Sequence, residues 1–381
     1  FCVLPISAFA LITSIINLKF MSRLQKLFCE KNNNNLDDLV SILIPVRNEA
    51  NNIRECLESI ISQDYEAFEV IILDDRSTDE TVKIIETFQG TTECLRLLNG
   101  KELPDGWVGK NWACHQLSEH AKGQLILFVD ADTKLVDSSV LSNAVAYLKS
   151  KEVDLISLMP HRESGSIVEK FMYIFIDWIL FSTMPINLAQ KSSNKYLCAT
   201  FGQFMLFRRN AFNQIGGYLE IFDNPLDDFT LGRLIKKSGF KWILFNGNGS
   251  IKVKPYSGNV DAFKSISRSV FPAFNYSFLS FVSFALIVFM LGIFPVLVIL
   301  LSYFGIFFES HLVFYAGVTY VMNLISWLIV CFKFQHHFLF GILNPISTCL
   351  MILVAIHSFF SYCFRITIWK DRNISGFKLR L

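Results

Sequence analysis

The chain has 381 residues, 52% of them hydrophobic and 18% charged, with 38 phenylalanines and a formal net charge of +2. Together with a positive mean hydropathy, this excludes a disordered or highly charged soluble chain and points to a membrane protein. No basic stripe with interleaved aromatics occurs, so nucleic acid is not an expected partner.

Charges crowd into residues 30–270 and nearly vanish from 277 to 332. The expected organisation is therefore a membrane anchor at 1–20, a soluble domain at 40–260 large enough for its own core, an interfacial helix at 261–276, a transmembrane region at 277–365 and a basic tail at 366–381. Phe1 to Leu18 is apolar, and Lys19, Arg23 and Lys26 follow it. A secretory signal carries its charge before the apolar run, so an anchor with its C-terminal end in the cytoplasm fits better. The chain opens without a methionine, and the first span is expected to be longer than the residues given. Nine cysteines without paired spacing are read as reduced thiols of a cytoplasmic domain.

After a polar linker with a four-asparagine run, Val40 to Val46 has a buried-strand pattern closed by Arg47-Asn48-Glu49. A helix is expected from about Ala50 to Ser62, then a strand from Phe68 to Leu73 ending in Asp74-Asp75. Ser77 or Thr78 is expected to cap the next helix, and Leu95 to Leu98 gives a third strand. This alternation is the signature of a largely parallel sheet. Gly106-Trp107-Val108-Gly109-Lys110 then forms a turn that places Lys110 at a helix start, where a cation beside free amides can meet a diphosphate; a plain surface lysine is the alternative.

Leu125 to Val129 is a short apolar run with the profile of a strand buried on both faces, and it ends in Asp130-Ala131-Asp132. Strand alternation would turn Asp130 and Asp132 to one side, at the sheet edge where ligands of open α/β sheets collect. Such a pair can hold Mg²⁺ or a similar hard cation through one or two carboxylates plus substrate phosphates; by itself, Asp-x-Asp is also a common solvated strand end. A helix from about Ser138 and a strand from Val153 to Met159 come next. Ser166 to Met184 is too polar for a span and too apolar for a free surface, which leaves a helix at the membrane interface or in a lipid-facing groove, with an ordinary core helix as the alternative. Phe201 to Phe207 reads as a strand, and Asp227-Asp228 falls in the first turn of an amphipathic helix, where the helix dipole already accounts for two acids.

Phe278–Leu301 and Leu312–Phe332 carry no charge and are each long enough to cross a bilayer; Leu339–Phe364 is interrupted by Asn344-Pro345. Three full crossings would leave the tail outside, yet Arg365, Lys370, Arg372, Lys378 and Arg380 ask for the inside. Either the last segment re-enters without crossing, or the run broken at Pro295 crosses twice.

Taken together, Ile44-Pro45-Val46-Arg47-Asn48-Glu49, Asp74-Asp75-Arg76-Ser77-Thr78-Asp79 and Asp130-Ala131-Asp132 resemble the family 2 glycosyltransferases of the GT-A fold. The Gly106-Trp107-Val108-Gly109-Lys110 element, Val129-Asp130-Ala131-Asp132 and Trp369-Lys370-Asp371-Arg372 are similar to the diaponeurosporenoate glycosyltransferase group of carotenoid-modifying membrane enzymes. The resemblance implies a Rossmann-like, mostly parallel α/β sheet plus one N-terminal and about three C-terminal transmembrane helices, in a multi-pass protein of a bacterial inner membrane. It implies a nucleotide-sugar pocket bordered by Pro45, Arg47, Asn48, Glu49 and Asp74, with Asp75 at the base, Lys110 near the diphosphate, Asp130 at the ribose or sugar, and Asp132 as main Mg²⁺ or Mn²⁺ ligand beside Asp130. Asp228 would be the general base, with Asp227 next to it, and Gly202 and Gln203 would lie on the acceptor side. The expected partners are a nucleotide-diphosphate sugar, UDP-linked by expectation, and a lipid or carotenoid acceptor.

The processive members carry Gln-x-x-Arg-Trp, where this chain has Ser265-Ile266-Ser267-Arg268-Ser269. A single transfer is therefore expected over polymer synthesis. A carotenoid acid is already ionised and needs no base, so the Asp227-Asp228 pair leans toward a hydroxylated lipid. The competing expectations are a short-chain polysaccharide synthase and a non-catalytic membrane scaffold; the near absence of ionisable groups in the spans argues against transport.

Overall fold

The computed structural model describes residues 3–24, 38–90, 92–306 and 309–373. Lys26, the asparagine run of the linker, Cys2, Cys29, Lys378 and Arg380 lie outside them.

The apolar runs of the soluble region become strands because each is covered on both faces. β1 (Val40–Val46), α2 (Ile53–Ile61), β2 (Phe68–Asp74), α3 (Thr81–Gln89), β3 (Leu95–Asn99), α4 (Gly109–His120) and β4 (Leu125–Phe128) alternate as expected. After β5 (Thr133–Leu135), α5 (Val140–Ser150), β6 (Leu155–Met159) and β7 (His161–Arg162), the chain makes α6 (Ile167–Thr183) and the unanticipated α7 (Ile186–Lys191). It returns through β8 (Met205–Arg208), α8 (Arg209–Gln214), a 3₁₀ turn at Gly217–Ile221, α9 (Asp227–Lys237), β9 (Trp242–Asn246), β10 (Ile251–Val253) and α10 (Asn259–Ala273). The main sheet has the order β3-β2-β1-β4-β8-β6-β9. Only β8 runs antiparallel to its neighbours β4 and β6, so the sheet is mixed but mostly parallel, with Ile42, Leu43, Ile71, Ile126 and Leu127 fully buried. A small sheet, β5-β10-β7, lies beside it.

Two local expectations are corrected. Ser77 and Thr78 do not cap α3, because Asn48 draws both toward β1: the Asn48 N–H donates to Ser77 Oγ at 2.9 Å, and the Thr78 N–H donates to Asn48 Oδ1 at 2.8 Å. Asp79 takes the capping task, accepting from the Thr81 N–H at 3.0 Å. The strand-like run at 201–207 is ordered as a strand only from Met205, where pairing with β4 begins.

The apolar helices are α1 (Val3–Phe20), α11 (Phe278–Gly292), α12 (Phe294–Tyr303), α13 (Ser310–Phe334) and α15 (Asn344–Cys363), with the short α14 (Phe338–Ile342) before the last. α1, α13 and α15 are each long and apolar enough to cross a bilayer, and α11 and α12 join across a 41° bend. A bend of 41° at Ile293-Phe294-Pro295 keeps the two in one general direction, as a proline-marked kink does; the run does not fold back to cross twice. The contacts at the other end of the bundle bear on the same question. Lys333, near the end of α13, donates to the Met21 carbonyl at 2.5 Å, which places this end beside the soluble domain. α15 starts next to Asn323, about three turns or ~16 Å back along α13, and finishes where Tyr362 Oη donates to the Arg268 carbonyl of α10 at 2.9 Å. The chain thus dips into the bundle and returns to the side it left. The tail strands β11 (Ile368–Trp369) and β12 (Arg372–Asn373) lie on the same side as the soluble domain.

α6 is more deeply buried than an interfacial helix. A Ser166–Glu169 capping box starts it. One face packs into the apolar bundle, with Trp178 stacked on Trp327 at 4.9 Å and the hydroxyls of Ser14, Ser182 and Ser326 in mutual contact at 2.9 Å. Small hydroxyl residues let the helices approach closely and satisfy one another where water is absent. The other face, Ile176, Ile179, Leu180 and Thr183, is left for the cleft described below.

The seven described cysteines are all free thiols. Gly123 opens the turn into β4, and a Cβ there would overlap the Leu39 carbonyl and come within 2.7 Å of the Ser41 amide. Gly123→Ala is therefore expected to destabilise the domain by about 1–3 kcal/mol, the usual cost of overpacking. Thermal unfolding of the detergent-solubilised protein checks this, and an unchanged midpoint would refute it.

Candidate active site

A cleft of about 1260 Å³ opens at the carboxyl ends of β1, β2 and β4. This is the edge where parallel α/β sheets place their ligands, because the loops leaving the strands diverge there. Of the residues singled out from sequence, Pro45, Arg47, Asn48, Glu49, Asp75, Lys110, Asp130, Asp132, Gly202, Gln203, Asp227 and Asp228 all line it. Asp74 does not. Its two carboxylate oxygens each accept from the Ser77 N–H at 3.2 Å, so it holds the turn after β2 and is buried beneath it.

The loop after β1 is shaped by Asn48, whose φ of 52° is left-handed, a conformation asparagine tolerates better than most residues. This turns the Glu49 side chain back to Asn52 Nδ2 and Lys370 Nζ, both at 2.8 Å. Arg47 reaches the other way and donates to the Asp75 carbonyl at 2.6 Å, which fixes the two strand tips to each other.

Asp130 and Asp132 come together by a different route from the expected one. β4 ends at Phe128, and residues 130–133 form a turn closed by the Thr133 N–H to the Asp130 carbonyl at 3.0 Å. The turn, and not strand alternation, brings the carboxylates to the cleft. Asp130 is balanced by Lys110, whose Nζ lies 2.8 Å from Asp130 Oδ1 and 3.3 Å from Asp227 Oδ2. Burial works against the Lys110 charge, but the two carboxylates outweigh it and hold its pKa well above the usual lysine range. Lys110 therefore bridges β4 and α9 across the floor of the cleft.

Asp132 has no ion-pair partner among the described residues. Burial, then the nearby charges of Asp130 and Glu49, push its pKa up to about 7. A carboxylate crowded by others and lacking a cation is the environment that a divalent ion relieves. No group of three His, Cys, Asp or Glu side chains suited to a metal occurs among the described residues. The protein thus offers a two-carboxylate oxygen set that substrate oxygens would complete, which fits Mg²⁺ or Mn²⁺ chemistry.

The acid pair of α9 divides. Asp227 is buried against Lys110 and the Tyr218 hydroxyl, which donates to it at 3.3 Å. Asp228 faces the cleft, accepting from the Gly202 N–H at 3.2 Å and from the Phe229 N–H at 2.7 Å. Burial, then the adjacent Asp227, raises its pKa to about 7, against the opposing pull of Lys110. Gly202 leaves room for the lysine: a Cβ there would sit 3.1 Å from Lys110 Nζ and 3.4 Å from Asp130 Oδ2. Gln203 only approaches Asp130, at 3.5 Å.

The opposite wall is built from the two segments expected at the membrane boundary, and only the side chains that face the cleft were not legible from the sequence. It comprises Ile176, Ile179, Leu180 and Thr183 of α6, Ser265, Arg268 and Ser269 of α10, and Arg162, Lys254 and Tyr256 between them. The spacing of 176, 179, 180 and 183 is one helical face, but its partner surface is formed only by tertiary packing. Arg162 is oriented by Asp177 at 2.6 Å, and His336 at the end of α13 meets the other oxygen of that carboxylate at 2.7 Å. One wall is thus acidic, and the other joins an apolar strip of α6 to the cations Arg162, Lys254 and Arg268.

The family model described as glycosyl transferase family 2 matches residues 41–216. The 4,4'-diaponeurosporenoate glycosyltransferase of Staphylococcus aureus (strain USA300) is 27% identical over 236 residues, 60% of this chain and 59% of that protein. Its namesake in Staphylococcus haemolyticus (strain JCSC1435) is 23% identical over 230 residues, 60% of each chain. The chain therefore matches these relatives over about three fifths of their length. Among solved structures, the mannosyltransferase PcManGT of Pyrobaculum calidifontis, in complex with GDP-Man and Mn²⁺, shares the fold with a TM-score of 0.53 and 16% identity, over 93% of this chain and 98% of that one. The motifs at the strand tips, the mixed sheet and the matched segment agree: residues 41–216 are similar to family 2 glycosyl transferases, and the chain has a GT-A-like fold.

Proposed function

We propose that the protein is a membrane-bound, inverting glycosyltransferase that moves a single sugar from a nucleotide-diphosphate sugar to a lipid or carotenoid-like acceptor drawn from the bilayer. The observation that carries this reading is the two-sided cleft: Asp75, Asp130, Asp132 and Asp228 line the same cavity as the apolar face of α6. The relatives named for a carotenoid acid and the neighbour holding GDP-Man and Mn²⁺ are consistent with a nucleotide-sugar donor and a lipid-soluble acceptor.

In this reading Arg47, Asn48, Glu49 and Asp75 hold the nucleotide, and Asp130 contacts the ribose or sugar. Asp132 and Asp130 would hold Mg²⁺ or Mn²⁺, which when bound neutralises charge on the departing diphosphate. Lys110 adds a fixed positive charge on the same side. Asp228 accepts the proton of the acceptor hydroxyl as its oxygen forms a bond to the anomeric carbon. The bond from that carbon to the diphosphate oxygen breaks, and the nucleoside diphosphate leaves with the electron pair. Attack opposite to the leaving group inverts the centre. The acceptor reaches Asp228 along α6 and α10 while its apolar part stays against the bundle. Arg23, Lys370 and Arg372 meet the soluble domain, which supports a cytoplasmic catalytic side in a bacterial inner membrane by the positive-inside rule.

Two outcomes are expected. Asp132→Ala should abolish divalent-dependent transfer to lipid extract while leaving the thermal unfolding profile intact; full activity in that variant would remove the metal assignment. Asp228→Asn should lower kcat by about 10²- to 10⁴-fold with a small change in donor affinity. A base must be unprotonated to act, so with a pKa raised to about 7 the wild-type kcat should fall as the pH drops below neutral. A pH–kcat profile checks this, and an acid limb that persists unchanged in Asp228→Asn places the base elsewhere.

A further inference from the structure

The C-terminal hairpin, far from the catalytic domain in sequence, is seated on the same strand tips as the proposed nucleotide site. Arg372 makes a two-pronged contact with Asp75, Nη1 to Oδ2 at 2.5 Å and Nη2 to Oδ1 at 3.0 Å. Lys370 Nζ donates to Glu49 Oε1 at 2.8 Å and to the Asn48 carbonyl at 3.0 Å. In return, Arg47 Nε donates to the Lys370 carbonyl at 3.1 Å. The turn itself is unusual, since Lys370 and Asp371 have φ of 46° and 64° without either being glycine. Such a conformation persists only when surrounding contacts impose it. Space is made on the other side as well: a Cβ on Gly109 would lie 2.5 Å from Arg372 Nη1, which gives a physical reason for the second glycine of the Gly-Trp-x-Gly-Lys turn.

Asp75, Trp369 and Lys370 line the cleft, and Arg372 is not among its lining residues. A carboxylate offers about four acceptor positions. The guanidinium occupies two of them, one on each oxygen, which locks the side-chain rotamer while each oxygen keeps a further acceptor position for an N–H donor. We propose that Arg372 and Lys370 are positioning residues of the donor site: the tail hairpin fixes Asp75 and Glu49 for a nucleoside diphosphate, so that donor binding requires the returning membrane segment α15 to deliver the tail to the domain. The inference rests on the donor reading above.

The test is calorimetric binding of UDP and of GDP, each with Mn²⁺, to the full chain in detergent micelles. Arg372→Ala should weaken binding of the nucleotide that the wild type takes by roughly tenfold or more, as leaving a buried carboxylate unpaired implies. Arg372→Lys should fail to restore it, because an ammonium cannot supply the planar fork, and Lys370→Ala should cost less than Arg372→Ala. In transfer assays the donor KM should rise more than kcat falls. A Kd within twofold of wild type in both Arg372 variants, or tighter binding in either, would overturn the positioning role. A wild-type chain that binds neither nucleotide would instead overturn the donor reading, and this inference with it.

Discussion

The cleft depends on one half-buried lysine. Asp130 leaves the end of β4 and Asp227 opens α9, and nothing in the local sequence of either draws them together. Lys110, delivered by the turn at the start of α4, lies within 2.8 Å of one and 3.3 Å of the other. In a partly desolvated site two carboxylates at such separations repel strongly unless a cation sits between them. With that cation in place, α9 can present Asp228 to the cavity. Gly202 follows from the same constraint, because a side chain there would press on the lysine.

Charge in the cleft is compensated unevenly. Asp130 and Asp227 share Lys110, Glu49 has Lys370 and Asp75 has Arg372. Asp132 and Asp228 have no such partner among the described residues, and both are pushed up to about 7 by burial first and neighbouring acids second. Perturbed carboxylates cluster where chemistry is done. The two that remain uncompensated are those assigned to cation binding and to proton transfer.

The bundle of apolar helices also shapes the cleft. Asn17 of α1 donates to the carbonyls of Phe181 and Met184 at 2.7 Å and accepts from the Ile186 N–H at 2.9 Å, so the first helix fixes the end of α6. The serine cluster and the stacked tryptophans fix its middle. Because those contacts occupy one face of α6, the other is held against the cleft. At the opposite edge the tail, returned by α15, closes on β1 and β2. The active-site cleft is therefore bounded by elements from both ends of the chain.

The sequence by itself determined the repeating units. β1 is predicted to the residue and β2 and β3 to within one, since a short apolar run covered on both faces is a local property. The acidic strand tips, the lysine at the start of α4 and the acid pair of α9 were equally legible, because each follows from residue type and position within its own element. Tertiary structure decided the rest, wherever a group had two possible partners. Asn48 took Ser77 and Thr78 from the cap of α3, and a turn instead of strand pleating converged Asp130 with Asp132. Asp74 went to its own loop while Asp75 went to the cleft. The kink at Pro295, the return of α15 and the docking of Arg372 on Asp75 join residues up to 297 positions apart. No local pattern encodes such a pairing, since the free energy that selects it exists only once both surfaces have formed.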